Sequence, residues 1–278
     1  MRVAVLSGKG GTGKTMLAVN LAALEESGLY LDCDVEEPDG HLFFRPERPS
    51  VTPVEVPVPV VDTALCDGCQ ECVGFCRYHA LAWTGKKVLV FPEICHSCGG
   101  CALVCPRKAI REEFRTVGQV EEGLSGNTRV ISGILSPGEA SGTPVIQALL
   151  ARVAGKRDLI MDGPPGTGCM VAETLRAADY CLLVAEPTRY GAHNLEMVHQ
   201  LVRAWNRPCG VVLNKVDSGD NPSLAYARSA GLAVLGAIPF DLELARLGAA
   251  GEIAVHRNET FRQTLLTIRG NMEKGVNS

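Results

Sequence analysis

Two cysteine runs in one rhythm constrain this chain more than any other feature. Cys66, Cys69, Cys72 and Cys76 form C-x2-C-x2-C-x3-C, and Cys95, Cys98, Cys101 and Cys105 repeat the pattern 29 positions later. Ala80-Leu81 returns likewise as Ala109-Ile110, so the segment is an internal repeat of a small unit. Eight of the twelve cysteines lie there, in a chain of 278 residues that is long enough to bury a core without disulfide staples. Met1 to Thr15 lacks the basic-apolar-small order of a signal peptide. Intracellular thiols stay reduced, so metal or redox chemistry is the expected use of the cysteines. Three closely spaced thiolates can hold three corners of one iron–sulfur cube, while the fourth turns away to the other cube. On that rule Cys66, Cys69, Cys72 and Cys105 hold one [4Fe–4S] cluster, and Cys95, Cys98, Cys101 and Cys76 hold the second. Structural zinc and disulfides are the alternatives; zinc favours paired C-x2-C units across a loop, without a third and fourth cysteine in this rhythm.

Small residues (Gly68, Gly74, Gly99, Gly100) let backbone pass close to the expected cubes, and Pro106 follows Cys105. In these features residues 62–112 resemble the bacterial two-cluster ferredoxins. The segment departs from them at Arg77, where that family usually has proline. A unit this small cannot close a large core alone, so the clusters are expected to staple it.

A second motif opens the chain. The apolar run Val3–Leu6 suits a buried parallel strand. Gly8, Lys9, Gly10, Gly11, Thr12, Gly13, Lys14 and Thr15 then satisfy G-x4-G-K-T. Glycines in such a loop let backbone N–H groups curl round phosphate oxygens, and the following helix adds its positive dipole. Lys14 is expected on the β- and γ-phosphates and Thr15 on Mg2+. Residues 14–26 read as a helix, with Leu17, Leu21 and Leu24 on one face.

The extra Lys9 makes the loop resemble the deviant Walker A motif of the MinD, Mrp and nitrogenase-iron-protein group. That resemblance implies an ATPase acting as a homodimer with nucleotide at or near the interface. It implies that Lys9 reaches the partner subunit's nucleotide, as an arginine finger does elsewhere. Asp32 and Asp34 resemble the carboxylates that assist Mg2+ and position the attacking water. Asp162, at the end of the run Asp158–Asp162, resembles the Walker B acid that holds Mg2+ through water. Gly166 resembles the glycine whose N–H senses the γ-phosphate. All three signals sit at strand ends, where open α/β sheets bind ligands. Base recognition is less decided. Asn214-Lys215-Val216-Asp217 matches the guanine-reading N-K-x-D of GTPases, whereas the asparagine at that place in the resembled group faces adenine; the Lys9 signature favours ATP. Asp217 reads equally well as a turn residue before Ser218-Gly219. Pro239 resembles the group's segment beside the base.

Strand-like runs recur at 3–6, 29–33, 130–135, 158–162, 180–185, 210–214 and 233–238. Helical segments at 14–26, 143–154, 169–178, 192–205, 222–230 and 259–273 separate most of them. The alternation predicts an α/β fold with a mostly parallel sheet covered on both faces. Residues 1–61 and 113–278 form this P-loop domain, and residues 62–112 are its insert. Five prolines within 46–61 favour an extended path or an edge strand on the way in. Residues 113–135 are expected to return as a hairpin turning near Gly123 to Asn127.

Of the isolated cysteines, Cys181 and Cys209 read as small core residues and Cys33 as turned inward. Cys169 follows the switch glycines and could approach its twin across a dimer, although no C-x2-C exists outside the insert. His79 and His96 lie near the clusters, where a hydrogen bond to sulfur tunes potential, but an ordinary surface position is the plainer reading. Phe261, Leu265, Leu266 and Ile268 on the last helix read as core packing rather than as a membrane anchor, because nearby cations are few. A net charge of −4 argues against a general nucleic-acid binder. No run approaches ~18 apolar residues, so no stable membrane insertion is expected, and the location is expected to be cytoplasmic.

Over nearly its whole length the chain resembles MinD-superfamily ATPases containing an inserted ferredoxin domain. The resemblance implies Mg-ATP binding and slow, dimer- or partner-dependent hydrolysis coupled to electron transfer towards a redox partner protein. The alternatives are an iron–sulfur assembly or carrier ATPase of Mrp type and a MinD-like positioning switch. Fold analogy alone does not separate these three.

Overall fold

The short apolar runs join one nine-stranded sheet in the computed structural model of the chain, which describes residues 1–25 and 27–276. In chain order the elements are β1 (Arg2–Leu6), α1 (Lys14–Ala22), β2 (Leu29–Asp32), α2 (Gly40–Phe44) and β3 (Glu47–Val61). Then come α3 (Glu71–Phe75), β4 (Leu81–Trp83), β5 (Val88–Val90), α4 (Gly100–Leu103), β6 (Ile110–Ser125) and β7 (Thr128–Leu135). The chain continues through α5 (Thr143–Arg152), β8 (Leu159–Asp162), α6 (Cys169–Ala177), β9 (Tyr180–Ala185) and α7 (Arg189–Ala204). It ends with β10 (Cys209–Val216), α8 (Pro222–Ser229), β11 (Ala233–Pro239), α9 (Leu242–Ala249) and α10 (Glu259–Val276).

The sheet order is β11-β10-β9-β1-β8-β2-β7-β6-β3. The strands from β11 to β7 are mutually parallel, and β6 and β3 add an antiparallel margin. Alternation along β1 shows how the two faces are served. Ala4 and Leu6 point into a core made with α5, α6, α7 and α8, whereas Val3 and Val5 point into one made with α1 and α10. Phe261, Leu265 and Ile268 of α10 are buried in the second core, so this helix covers the sheet. Among the described residues no helix is long and apolar enough to cross a membrane.

β1 lies between β8 and β9; the chain runs from β1 to β2 on one side, and from β8 it crosses past β1 to β9, β10 and β11 on the other. This is the switch point of an open α/β sheet, and it puts the loops after β1, β2, β8 and β10 at one edge.

β3 forms the sheet's outer margin, as its prolines require. Pro53, Pro57 and Pro59 have no N–H to give to an inner ladder, so they sit on an edge strand. The β3–β6 ribbon runs out to the pair Val61↔Ile110 and the bond from Asp62 N to Ala109 O at 2.7 Å. Beyond it stand α3, α4 and the two-stranded sheet β4–β5, around a small core of Cys72, Leu81, Val88, Cys101 and Ile110. β6 begins at Ile110, so the expected boundary at 112 falls inside a strand.

Other boundaries differ from the sequence reading. α1 ends at Ala22 rather than near residue 26, which lies outside the described residues. α7 begins at Arg189 rather than 192, because the Thr188 side chain caps it by accepting from Gly191 N at 2.9 Å. The hairpin turn is Gly126-Asn127, with Gly126 at φ +55°, a left-handed conformation suited to a two-residue connection. The sequence reading lacks the short helices α2 and α9; the five residues of α2 are too few for an apolar period, whereas α9 carries a legible start signal in Asp241, which accepts from Glu243 N at 2.7 Å.

Candidate functional site

The loop Ser7–Thr15 joins the end of β1 to the start of α1, and the carboxylates of β2 and β8 close around it. Lys14 is buried at the first position of α1, with Nζ 2.7 Å from Asp162 Oδ1 and 3.4 Å from Asp34 Oδ2. Burial alone would disfavour the ammonium, but Asp162, Asp34 and Asp32 outweigh it and hold Lys14 above the usual lysine value. Asp32 is fully buried, accepting from Gly40 N at 2.9 Å and Asp34 N at 3.2 Å. Burial first, and then Asp162, push the Asp32 carboxyl well above the ordinary range. Asp34 is pushed up to about 6, mainly by burial and against the pull of Lys14. Lys14 and the three carboxylates thus form one coupled charge cluster at the end of the loop.

The loop is braced from behind. Asn214 Nδ2 donates to Thr12 O at 2.7 Å, and Lys215 Nζ donates to Gly11 O at 2.7 Å. Gly13 has φ +89°, and a Cβ there would lie 2.2 Å from Asn214 Nδ2, so the close approach of β10 requires glycine. The Asn214 amide, expected to face the base, is thus a strut under the loop and is nearly fully buried. Asp217 accepts from Gly219 N at 2.9 Å, the geometry of the turn that was one of its two readings. Pro239 lies exposed at the end of β11, paired with Val216. Thr15 is half-buried in the first turn of α1, beside a cavity of about 610 Å3 that it lines with His41, Arg45 and Gly251. The Gly166 N–H donates to Ser7 O at 2.9 Å, with Gly166 at φ +91°.

Lys9 is paired with Glu186 of its own chain and lies 5.5 Å from the Tyr190 ring centroid. Glu186 also accepts from Lys215 Nζ at 2.7 Å. Burial works to raise the Glu186 carboxyl, but hydrogen bonds from Lys215 and Lys9 win and hold it below the usual range. Sequence reasoning did not find Glu186; its signal is its place one residue beyond β9, at the binding edge of the sheet. The Thr12 hydroxyl is buried without a partner in the cradle. An unpaired buried hydroxyl, a helix N-terminus and two lysines together fit a phosphate group.

The cysteines gather in two sets of four. Cys76, Cys95, Cys98 and Cys101 line one cavity of about 200 Å3 with Phe75, Tyr78 and His96. Cys66, Cys69, Cys72 and Cys105 line a second of only about 10 Å3. Each set therefore contains the last cysteine of the other run. All twelve cysteines are free thiols. Backbone N–H groups point at sulfur at Cys76 (from Ala80, 3.3 Å), Cys95 (from Ser97, 3.4 Å) and Cys105 (from Ala109, 3.3 Å). Four thiols around a cavity, with N–H groups aimed at Cys76 and Cys95, fit a cubane cluster in the first set; the second set has the same four donors, drawn together around a much smaller space. His96 stacks on Tyr78 with centroids 3.7 Å apart, at the wall of the first cavity. Cys33 and Cys181 are buried in the first core, Cys209 packs against it, and Cys169 is exposed at the start of α6.

One side chain ties the two regions together. Arg115 on β6 forks onto Glu139, with Nη2 2.7 Å from Oε2, and the same nitrogen donates to Pro92 O at 3.1 Å. Pro92 lies three residues before Cys95, and Glu139 lies in the turn that follows β7. β7 ends just before that turn, where Leu135 N donates to Val35 O at 2.8 Å, next to Asp34. A cleft of about 640 Å3 beside this contact is lined by Cys95, His96, Arg115, Glu139 and Cys169.

Residues 3–255 match the CobQ/CobB/MinD/ParA nucleotide-binding domain. The chain belongs to that family. It is 30% identical over 252 residues to the protein MJ0578 of Methanocaldococcus jannaschii, covering 89% of this chain and 87% of that one. It is also 41% identical over 56 residues to the ferredoxin MJ0199 of the same organism, covering 19% of this chain and 90% of the ferredoxin. Among solved structures, the cell division ATPase MinD of Pyrococcus furiosus superposes with a TM-score of 0.60 at 16% identity, covering 98% of each chain. At that identity the likeness speaks for the fold. The chain is a MinD-type P-loop domain with an inserted ferredoxin-like unit.

Proposed function

We propose that this member of the MinD/ParA family is an iron–sulfur ATPase in which Mg-ATP binding and hydrolysis across a homodimer are coupled to electron transfer. The observation that carries the reading is the Arg115 contact, which joins the turn before Cys95 to the turn that follows β7. The insert, taken as residues 62–112, is the redox unit; residues 1–61 and 113–278 are the ATPase. In this reading Gly8, Gly10, Gly11, Thr12 and Gly13 shape the phosphate cradle, and Lys14 leaves its carboxylates for the phosphates. Thr15, Asp162 and Asp32 serve Mg2+, and Asp34 orients the attacking water. Lys9 exchanges Glu186 for the partner subunit's nucleotide, and Gly166 exchanges Ser7 for the γ-phosphate. Asn214 and Lys215 hold the loop, and Pro239 flanks the base. The cubanes, held by Cys66, Cys69, Cys72 and Cys105 and by Cys95, Cys98, Cys101 and Cys76, supply one-electron chemistry. The chain's own part is to wrap them and aim N–H groups at their sulfur ligands.

Two measurements on protein purified without oxygen test the proposal. Iron and labile sulfide should each approach eight per chain, as two [4Fe–4S] clusters require. Mg-dependent ATP hydrolysis should be present and lost in Lys14→Ala. Iron-free protein, or hydrolysis indifferent to Lys14→Ala, would overturn it.

A further inference from the structure

Tyr30 stands out in the middle of β2. It is a fully buried phenol in a strand otherwise made of leucine and aspartate, and nothing in the nucleotide motifs asks for it. Its hydroxyl donates to Asp162 Oδ2 at 3.1 Å and lies 3.5 Å from Asp32 Oδ2. The ring is held on two sides. Phe44 packs against it with centroids 5.0 Å apart, and the backbone of Gly40 crosses so close that a Cβ there would lie 2.3 Å from the hydroxyl. That approach also delivers the Gly40 N–H to Asp32. Asp162 is therefore held through both oxygens, Oδ1 by the Lys14 ammonium and Oδ2 by the Tyr30 hydroxyl. Only one of these anchors is permanent. Lys14 is the group a nucleotide's phosphates would draw away, whereas the Tyr30 ring is locked in the core.

We infer that Tyr30 is a positioning residue for the metal carboxylate. It fixes the plane of Asp162 so that Oδ1 still faces the loop after Lys14 has turned to phosphate. Tyr30 touches neither nucleotide nor metal and acts through Asp162. The inference rests on the nucleotide reading given above and deepens it. A freely rotating carboxylate would have to be ordered each time Mg2+ binds, and a buried oxygen left without its donor is costly. Tyr30 removes both costs, so its contribution belongs to the Mg-dependent part of nucleotide affinity.

The test compares full-length wild type with Tyr30→Phe, which keeps the ring and removes the hydroxyl. Affinity for a non-hydrolysable ATP analogue is measured in excess Mg2+ and again in chelator, beside thermal unfolding of each protein. The ratio of the two affinities is the gain due to magnesium. In Tyr30→Phe this gain should fall about tenfold, the scale of one hydrogen bond to a charged group, while affinity in chelator stays within about twofold. A gain equal to wild type overturns the inference, as does an equal loss with and without Mg2+, which is what a merely structural role would give. Should Tyr30→Phe fail to fold, 3-fluorotyrosine at position 30 supplies a stronger donor; the gain should then exceed wild type, and an unchanged gain overturns the inference. A wild type that binds no analogue under either condition overturns the nucleotide reading itself, and so is distinguishable from failure of the role of Tyr30.

Discussion

Asp34 is a pH-sensitive group of the nucleotide site. Its carboxyl titrates near 6 because burial outweighs the attraction of Lys14. A carboxyl raised in the folded state takes up its proton there more readily than in the unfolded chain, so nucleotide-free protein loses this contribution to stability as pH rises through about 6. Activity runs the other way. If ionised Asp34 orients water, hydrolysis should fall as acid protonates it, and Asp34→Asn should lower the rate about a hundredfold and remove that pH dependence. Gly13→Ala should be worse than an ordinary loop substitution. It forces a side chain into φ +89° and against Asn214, at a cost of about 1–3 kcal/mol read by denaturant unfolding, with loss of nucleotide binding. Which residues form the loop was legible in the sequence, since G-x4-G-K-T is a local pattern. What braces it was not. Glu186 under Lys9 and Tyr30 under Asp162 meet their partners only when distant strands are neighbours, and no spacing along the chain encodes that.

At the scale of elements, the β3–β6 ribbon is both the stalk of the insert and the carrier of Arg115. Arg115→Ala leaves the Glu139 carboxylate, which is only 9% exposed, without its fork. A loss of about 1–3 kcal/mol is expected in denaturant unfolding, where a buried charge loses its partner. The more informative readout is functional: ATP hydrolysis should persist, while any effect of nucleotide on the second cluster's EPR signal should vanish. α10 makes a plainer case. Ile268 is wholly buried against the sheet, and Ile268→Ala should cost about 2–5 kcal/mol in the same measurement. The sequence located this helix because its apolar residues recur over several turns. It did not locate α2, whose five residues carry no period, nor α9, although Asp241 marks the start of α9 as a capping residue. It anticipated the proline-rich edge strand, since proline excludes the interior of a sheet, but not the extent of the ribbon, which the pairing between strands decides.

At the scale of the molecule, two units of unequal self-sufficiency share one chain. The P-loop sheet has an extensive core on each face, whereas the insert's core among the described residues is five buried side chains, two of them cysteines. Removing iron with chelator under anaerobic conditions should therefore unfold residues 63–108 locally. Hydrogen exchange there should approach that of free peptide, while β1, β8 and β9 keep their protection. The central claim is that these units sense one another, and a redox titration of the oxygen-free protein followed by EPR, with and without Mg-ATP, tests it most directly. The account predicts that Mg-ATP moves the midpoint of at least one cluster and that Lys14→Ala abolishes the shift. Identical midpoints for both clusters with and without bound Mg-ATP would contradict it.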